Sequence, residues 1–186
     1  MVAVSTSRGN DVLIFSLAKQ KPSAAIRDNE GIVSTICFPR DRDLVLAAGT
    51  DLLPRVFDLS GERDTVSIHS SRWTAPFTAS ACSSRDPDLG AVGDSEGQVS
   101  LCDLRGGRLG TFEEHDGAIT CLRFSSFHDK LASGSIDRRV CVYSCSALRG
   151  PDHFKCLWKA KMPSEVHAVA WSPYGPSTIF VGCACG

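Results

Sequence analysis

The chain has 186 residues, 42% of them apolar, and its 20 basic residues almost balance its 21 acidic ones. That length and apolar content can bury the core of one domain, and the balanced charge gives no chain-wide field to draw in nucleic acid or an anionic membrane. No run of about 18 apolar residues occurs, so no helical membrane span is expected, and Met1 to Arg8 hold no apolar segment of signal-peptide length, so secretion is not expected either.

Short apolar runs separated by turn residues follow one another along the whole chain, which predicts a nearly all-β protein with no helix of useful length. Val2 to Thr6 and Val12 to Phe15 open it, followed by Ala24 to Arg27. Ile36-Cys37-Phe38-Pro39, Leu46 to Thr50 and Val56-Phe57-Asp58 then form a set of three, with Pro39 to Asp43 as the first turn and Thr65 to His69 as a further strand. A second set runs up to Cys82, through the turn Ser84 to Asp88, to Gly90-Ala91-Val92-Gly93-Asp94, Glu96 to Val99 and Leu101-Cys102-Asp103. After the link Arg105-Gly106-Gly107 and the strand Arg108 to Phe112 comes the clearest set. It holds His115-Asp116-Gly117, Ile119 to Phe124, Leu131-Ala132-Ser133-Gly134-Ser135, Asp137 in a tight turn, and Val140-Cys141-Val142-Tyr143. Arg149 to Asp152 links to Phe154 to Lys159, and Val166 to Pro173 and Thr178 to Val181 close the chain.

Phe38, Cys82, Phe124 and Trp171 end equivalent strands and lie 44, 42 and 47 residues apart by their numbering. These spacings fall in or near the period of a propeller blade, roughly 40–45 residues. The chain resembles the WD-repeat (WD40) β-propeller family. Glu114-His115 stands for its Gly-His, Phe124-Ser125 for its Phe-Ser, Leu131 to Ser135 for its Leu-Ala-Ser-Gly-Ser strand, and Tyr143-Ser144 for its Trp-Asp. Trp is absent from every Trp-Asp position, Glu96 stands where the second copy should carry the turn Asp, and Leu52 stands there in the first.

The resemblance implies a partial all-β propeller spanning 1–186 as a single unit. Its repeats fall at about 28–60, 72–105 and 113–145, with incomplete ones at about 1–17 and 163–186. It also implies a segment of a longer ring or, as the alternative, a small ring completed by another chain. His115, Ser133 and Asp137 look like a catalytic triad by residue type. In this family those positions form a buried hydrogen-bond network with the third-strand Trp, whose place Tyr143 would take.

Catalytic signatures are otherwise missing: Ala132-Ser133-Gly134-Ser135 lacks the first glycine of a nucleophile elbow, and no phosphate-binding glycine loop occurs. No enzyme activity, cofactor or small-molecule substrate is therefore expected. The nine cysteines include no Cys-x-x-Cys pair, and Cys183-x-Cys185 beside His167 is too sparse for zinc, so no metal is expected. Cys37, Cys82, Cys102, Cys121 and Cys141 fall inside predicted strands and read as small buried hydrophobes. Free thiols in that number fit a reducing compartment, cytoplasm or nucleus.

The function expected is a protein-interaction scaffold within a multiprotein complex, presenting loop faces to other proteins, with no role for membrane or nucleic acid. One face should carry Arg8, Arg55, Arg72, Trp73, Glu113, Arg138 and Arg139. Trp73 is the foremost candidate, being a large aromatic in the polar link Ser70-Ser71-Arg72-Trp73-Thr74. Leu101-Cys102-Asp103-Leu104-Arg105 resembles the Trp-Asp-x-Arg ending of substrate receptors in cullin-type ubiquitin ligases, where the Arg, here Arg105, contacts the adaptor. A subunit of a coat or nuclear-pore-like assembly is a further alternative.

Overall fold

Seventeen strands, sorted into five antiparallel sheets that follow one another in chain order, make up the regular structure of a computed structural model that describes residues 2–5, 11–16, 20–26, 30–40, 43–60, 65–70, 73–126, 130–145, 154–175 and 178–185. The first sheet has three strands, β1 (Val2–Ser5), β2 (Val12–Ser16) and β3 (Lys21–Ile26). Three four-stranded sheets follow. They are β4 (Val33–Cys37), β5 (Leu44–Gly49), β6 (Arg55–Asp58) and β7 (Val66–Ser67); β8 (Phe77–Cys82), β9 (Leu89–Asp94), β10 (Val99–Asp103) and β11 (Gly107–Phe112); and β12 (Ile119–Phe124), β13 (Lys130–Ser135), β14 (Arg139–Ser144) and β15 (Lys155–Lys161). β16 (Val166–Trp171) and β17 (Ile179–Cys183) form a two-stranded sheet. No helix occurs among the described residues, and no helix is long and apolar enough to cross a membrane.

Each strand is paired with its neighbour in sequence, so every sheet is an up-and-down meander whose short connections need only tight turns. The sheets then stack face to face. Alternation along a strand assigns its side chains to one neighbouring sheet or the other. On β5, Val45 and Ala47 pack with Val12, Ile14 and Ile26 of the first sheet, whereas Leu44, Leu46 and Ala48 pack with Phe77, Val92 and Cys102 of the third. On β9, Val92 faces that same cluster while Ala91 turns to Ile119, Leu122 and Leu131 of the fourth sheet. Second strands are thus covered on both faces, and all six residues of β5 and of β9 are buried. This departs from the apolar–polar alternation expected of half-buried strands, because an interior sheet has no solvent face. The last strand of each meander lies outermost, and β15 is correspondingly exposed over much of its length.

Two repeated devices join the sheets. The second residue of a first strand donates its hydroxyl to the backbone of the next sheet's first strand: Ser34 to Phe77 O, Thr78 to Ile119 O at 2.6 Å, and Thr120 to Val166 O. Opposite these clasps, Gly93 and Gly134 leave room for the first side chain of the following sheet. A Cβ on Gly93 would stand 2.6 Å from Ile119 Cγ2, and one on Gly134 would stand 2.4 Å from Val166 Cγ1. Thr120→Val keeps the shape and removes one clasp, leaving a partly buried carbonyl short of a partner. It is expected to cost about 1 kcal/mol in urea unfolding, and an unchanged midpoint would show that the clasp contributes nothing.

Candidate functional site

The turn between β13 and β14 gathers the residues that sequence alone marks as a triad. His115, just before β12, places Nε2 2.6 Å from Ser133 Oγ on β13 and Nδ1 3.1 Å from Asp137 Oδ2 in the turn. Ser133 Oγ also lies 3.1 Å from the Tyr143 hydroxyl on β14. Asp137 is held by the backbone, accepting from Asp116 N at 3.0 Å and Arg139 N at 2.8 Å. The tyrosine ring stacks on Phe112 of the neighbouring sheet at a centroid separation of 4.2 Å.

The proton order follows from these distances. A carboxylate can only accept, so the proton on His115 sits on Nδ1 and points at Asp137. Nε2 is then bare and takes the Ser133 proton, which leaves the Tyr143 proton to fill the contact with Ser133. Every member is paired, and none is open: the His115 side chain and Ser133 are each 0% exposed. Burial pushes the Tyr143 hydroxyl well above its usual range. It also lowers His115 from its ordinary value of 6.5, outweighing the nearby Asp137 carboxylate. Burial opposes ionisation of Asp137 too, but the N–H groups of Asp116 and Arg139, with His115, hold it below its ordinary 3.8.

These shifts fix the sign of the pH response. The unfolded chain takes up a proton on histidine at about its ordinary 6.5, whereas folded His115 resists it, so stability falls as pH drops below 6.5 toward the lowered folded value. Asp137 adds a second loss as pH falls below 3.8. Urea midpoints measured from about pH 7 to about pH 5 should decline, and decline less in His115→Gln. An identical slope in the two proteins would contradict this reading.

The other copies achieve the turn differently from the sequence expectation. In the second full sheet Asp94, rather than the residue at Glu96, accepts from Glu96 N at 3.0 Å and Gln98 N at 2.8 Å. In the first, Asp51 takes the turn and pairs with Arg55, beside Leu52 at φ 59°. By register Asp51 occupies the position of Asp137, and Leu52 that of Arg138, whereas Asp94 stands two positions earlier, at the place of Ser135.

Around the network lies a charged loop surface. Arg139 pairs with Asp116 and lies 3.7 Å from Asp137, and Lys159 pairs with Glu114 at 3.1 Å. Glu113 and Arg138 are exposed. The Arg138 side chain has no hydrogen bond or ion pair among the described residues, and its φ of 68° is left-handed, a conformation that Gly97 supplies at φ 96° in the equivalent turn of the preceding sheet. Arg105 projects from the β10–β11 turn, its side chain 69% exposed, and pairs with Asp88. Cys102, in the place of the family Trp, is fully buried, and burial pushes its thiol up to about 12.

Two expectations for this face need correction. Trp73 does not stand open: it is 7% exposed and packs edge-on to Phe77 at 5.4 Å, filling the gap between the second and third sheets. Arg55 is 6% exposed and committed to Asp51. Trp73 turns into the cluster between the two sheets, whereas Arg55 opens β6 and is drawn to the Asp51 carboxylate in the turn before it. Arg8 and Arg72 lie outside the described residues. Among the described residues no group of three or more His, Cys, Asp or Glu side chains could hold a metal.

Stacked four-stranded antiparallel meanders, each with an acid in the turn between its second and third strands, define an all-β repeat protein of the propeller class. A family model described as "WD domain, G-beta repeat" matches residues 106–144, which takes in β11 to β14 and the whole His115 network. Residues 106–144 thus match a WD40 repeat, and the stacked antiparallel meanders fit a partial β-propeller of that type. No curated protein matches the chain.

Proposed function

We propose that the chain is a non-catalytic scaffold that offers the loop surface around Arg138 to other proteins of a multiprotein complex, in the cytoplasm or nucleus. WD40 repeats act in general as protein-interaction modules, and the chemistry of this one supports that use. A serine nucleophile must reach a carbonyl carbon, and Ser133 lies sealed between two sheets with its proton given to His115. The triad-like set therefore serves to fix the turn that displays the neighbouring residues.

The observation that carries the reading is Arg138. A non-glycine residue in the left-handed region costs of order 1 kcal/mol, and here it presents to solvent a guanidinium with no partner among the described residues, in the same turn as Ile136, which is 44% exposed. Arginine flanked by apolar surface is the composition of a binding hot spot. Affinity capture from cells, quantified against the untouched chain, should show partner recovery falling about tenfold or more for Arg138→Glu with no change in melting temperature.

The ligase-receptor reading draws support from the exposure of Arg105, though Asp88 already engages that guanidinium. The same capture experiment separates the two. Loss of a cullin adaptor on Arg105→Ala, with Arg138→Glu silent, would favour the receptor; the scaffold reading expects the reverse.

A further inference from the structure

The second and third sheets meet along their first strands, β4 and β8, through two side-chain pairs that lie two residues apart on each strand. Thr35 Oγ1 lies 2.7 Å from Ser80 Oγ, and Cys37 Sγ lies 2.9 Å from Cys82 Sγ. Two sulfurs at that separation are inside the sum of their van der Waals radii and need to close by less than an ångström to reach the length of a disulfide, about 2.05 Å. The hydroxyl pair above them holds the two strands at constant spacing, so the thiols are presented to each other by the sheet stack and not by chance rotamers of mobile loops. Neither is deep: Cys37 and Cys82 are half-buried, unlike Cys102, Cys121, Cys141 and Cys145.

We propose that Cys37 and Cys82 form a reversible redox staple between the second and third sheets, closed by a small-molecule disulfide such as glutathione disulfide. The thiolate of one cysteine attacks the small disulfide, forming a mixed disulfide and releasing one thiol. The second cysteine gives up its proton and attacks the protein sulfur of that mixed disulfide, releasing the second thiol. Two protein thiols are oxidised and one small disulfide is reduced to two thiols, so electrons and protons balance. The two cysteines lie on separate repeats, so closure ties together sheets otherwise joined at this edge by hydroxyl contacts and packing. The hydrogen bond that the Cys82 thiol donates to Cys37, and then burial, raise that thiol well above its ordinary value, so Cys82 resists forming a thiolate.

The test uses the intact chain equilibrated with glutathione disulfide, blocked with an alkylating agent and digested with trypsin. Cys37 and Cys82 fall on separate tryptic peptides, 28–40 and 73–85, each with a single cysteine. The staple predicts one linked species of these two peptides, lighter than their sum by two hydrogens and split by dithiothreitol, together with a melting temperature raised by roughly 5–10 °C. The linked species should vanish in Cys37→Ser, and the mapping of the unsubstituted chain stands by itself if that variant folds poorly. Free Cys37 and Cys82 after oxidation, a link from either to Cys102, mixed glutathione adducts that never close, or a melting temperature unchanged or lowered on closure would each overturn the proposal.

Discussion

Trp73→Ala is expected to lower stability by about 3–5 kcal/mol, the cost of deleting a buried large aromatic side chain. The indole fills the space between the second and third sheets, meeting Phe77 edge-on within a cluster that includes Leu46, Ile68, Val92 and Leu104. Alanine would leave a cavity that two stacked sheets cannot collapse to fill, since each is also held by its other neighbour. Partner capture should fall only as far as the folded population falls. Trp73→Phe supplies a control. The indole Nε1 is buried and has no acceptor among the described residues, so phenylalanine loses packing volume but also removes an unsatisfied donor, and it should cost clearly less than alanine. Urea unfolding of the three proteins reads both effects; a stable Trp73→Ala chain that has lost its partner would instead put the indole on the binding surface.

Asp137→Ala should be the next most damaging change, at about 2–4 kcal/mol. Its carboxylate receives the Nδ1 proton of His115 and the backbone N–H groups of Asp116 and Arg139. Alanine strands all three, and the histidine is the costliest because its ring is wholly buried. Without its anionic acceptor, the order of protons through Ser133 and Tyr143 is no longer fixed. Asp137→Asn retains an acceptor oxygen and should recover part of the loss. Thermal or urea unfolding distinguishes these outcomes, and equal stability of all three proteins would remove the network from the account of the fold.

The third full repeat was the most legible from sequence, and for a physical reason. His115, Ser133 and Asp137 are polar types placed between apolar strand residues, where only a mutually satisfying set can be buried. Strand positions were equally readable, since turn residues punctuate the short apolar runs, and β11 and β15 lie where Arg108 to Phe112 and Phe154 to Lys159 predict strands. What escaped was whatever depends on the stacking of one sheet on the next. Trp73 sits among Ser, Arg and Thr, and that polar link does not decide between an indole on an open face and one that plugs the space between two sheets. Cys37 and Cys82 each read as a strand hydrophobe, because their proximity arises only when two first strands, 45 residues apart, face each other. Asp51 was missed because the turn was aligned one residue late, at Leu52, and Asp94 because that turn draws its acceptor from the end of the preceding strand.

Asp137 and Arg138 are adjacent in sequence but carry opposite roles, one sustaining the turn and the other displayed by it. The most direct measurement is therefore partner capture per folded molecule for Asp137→Ala and Arg138→Glu side by side, with the folded fraction taken from unfolding of the same samples. A scaffold whose buried network supports a binding loop predicts that Asp137→Ala loses folded protein while each remaining folded molecule binds normally, and that Arg138→Glu stays folded but loses capture. Normal capture by Arg138→Glu, together with a fully stable Asp137→Ala that fails to bind, would contradict it.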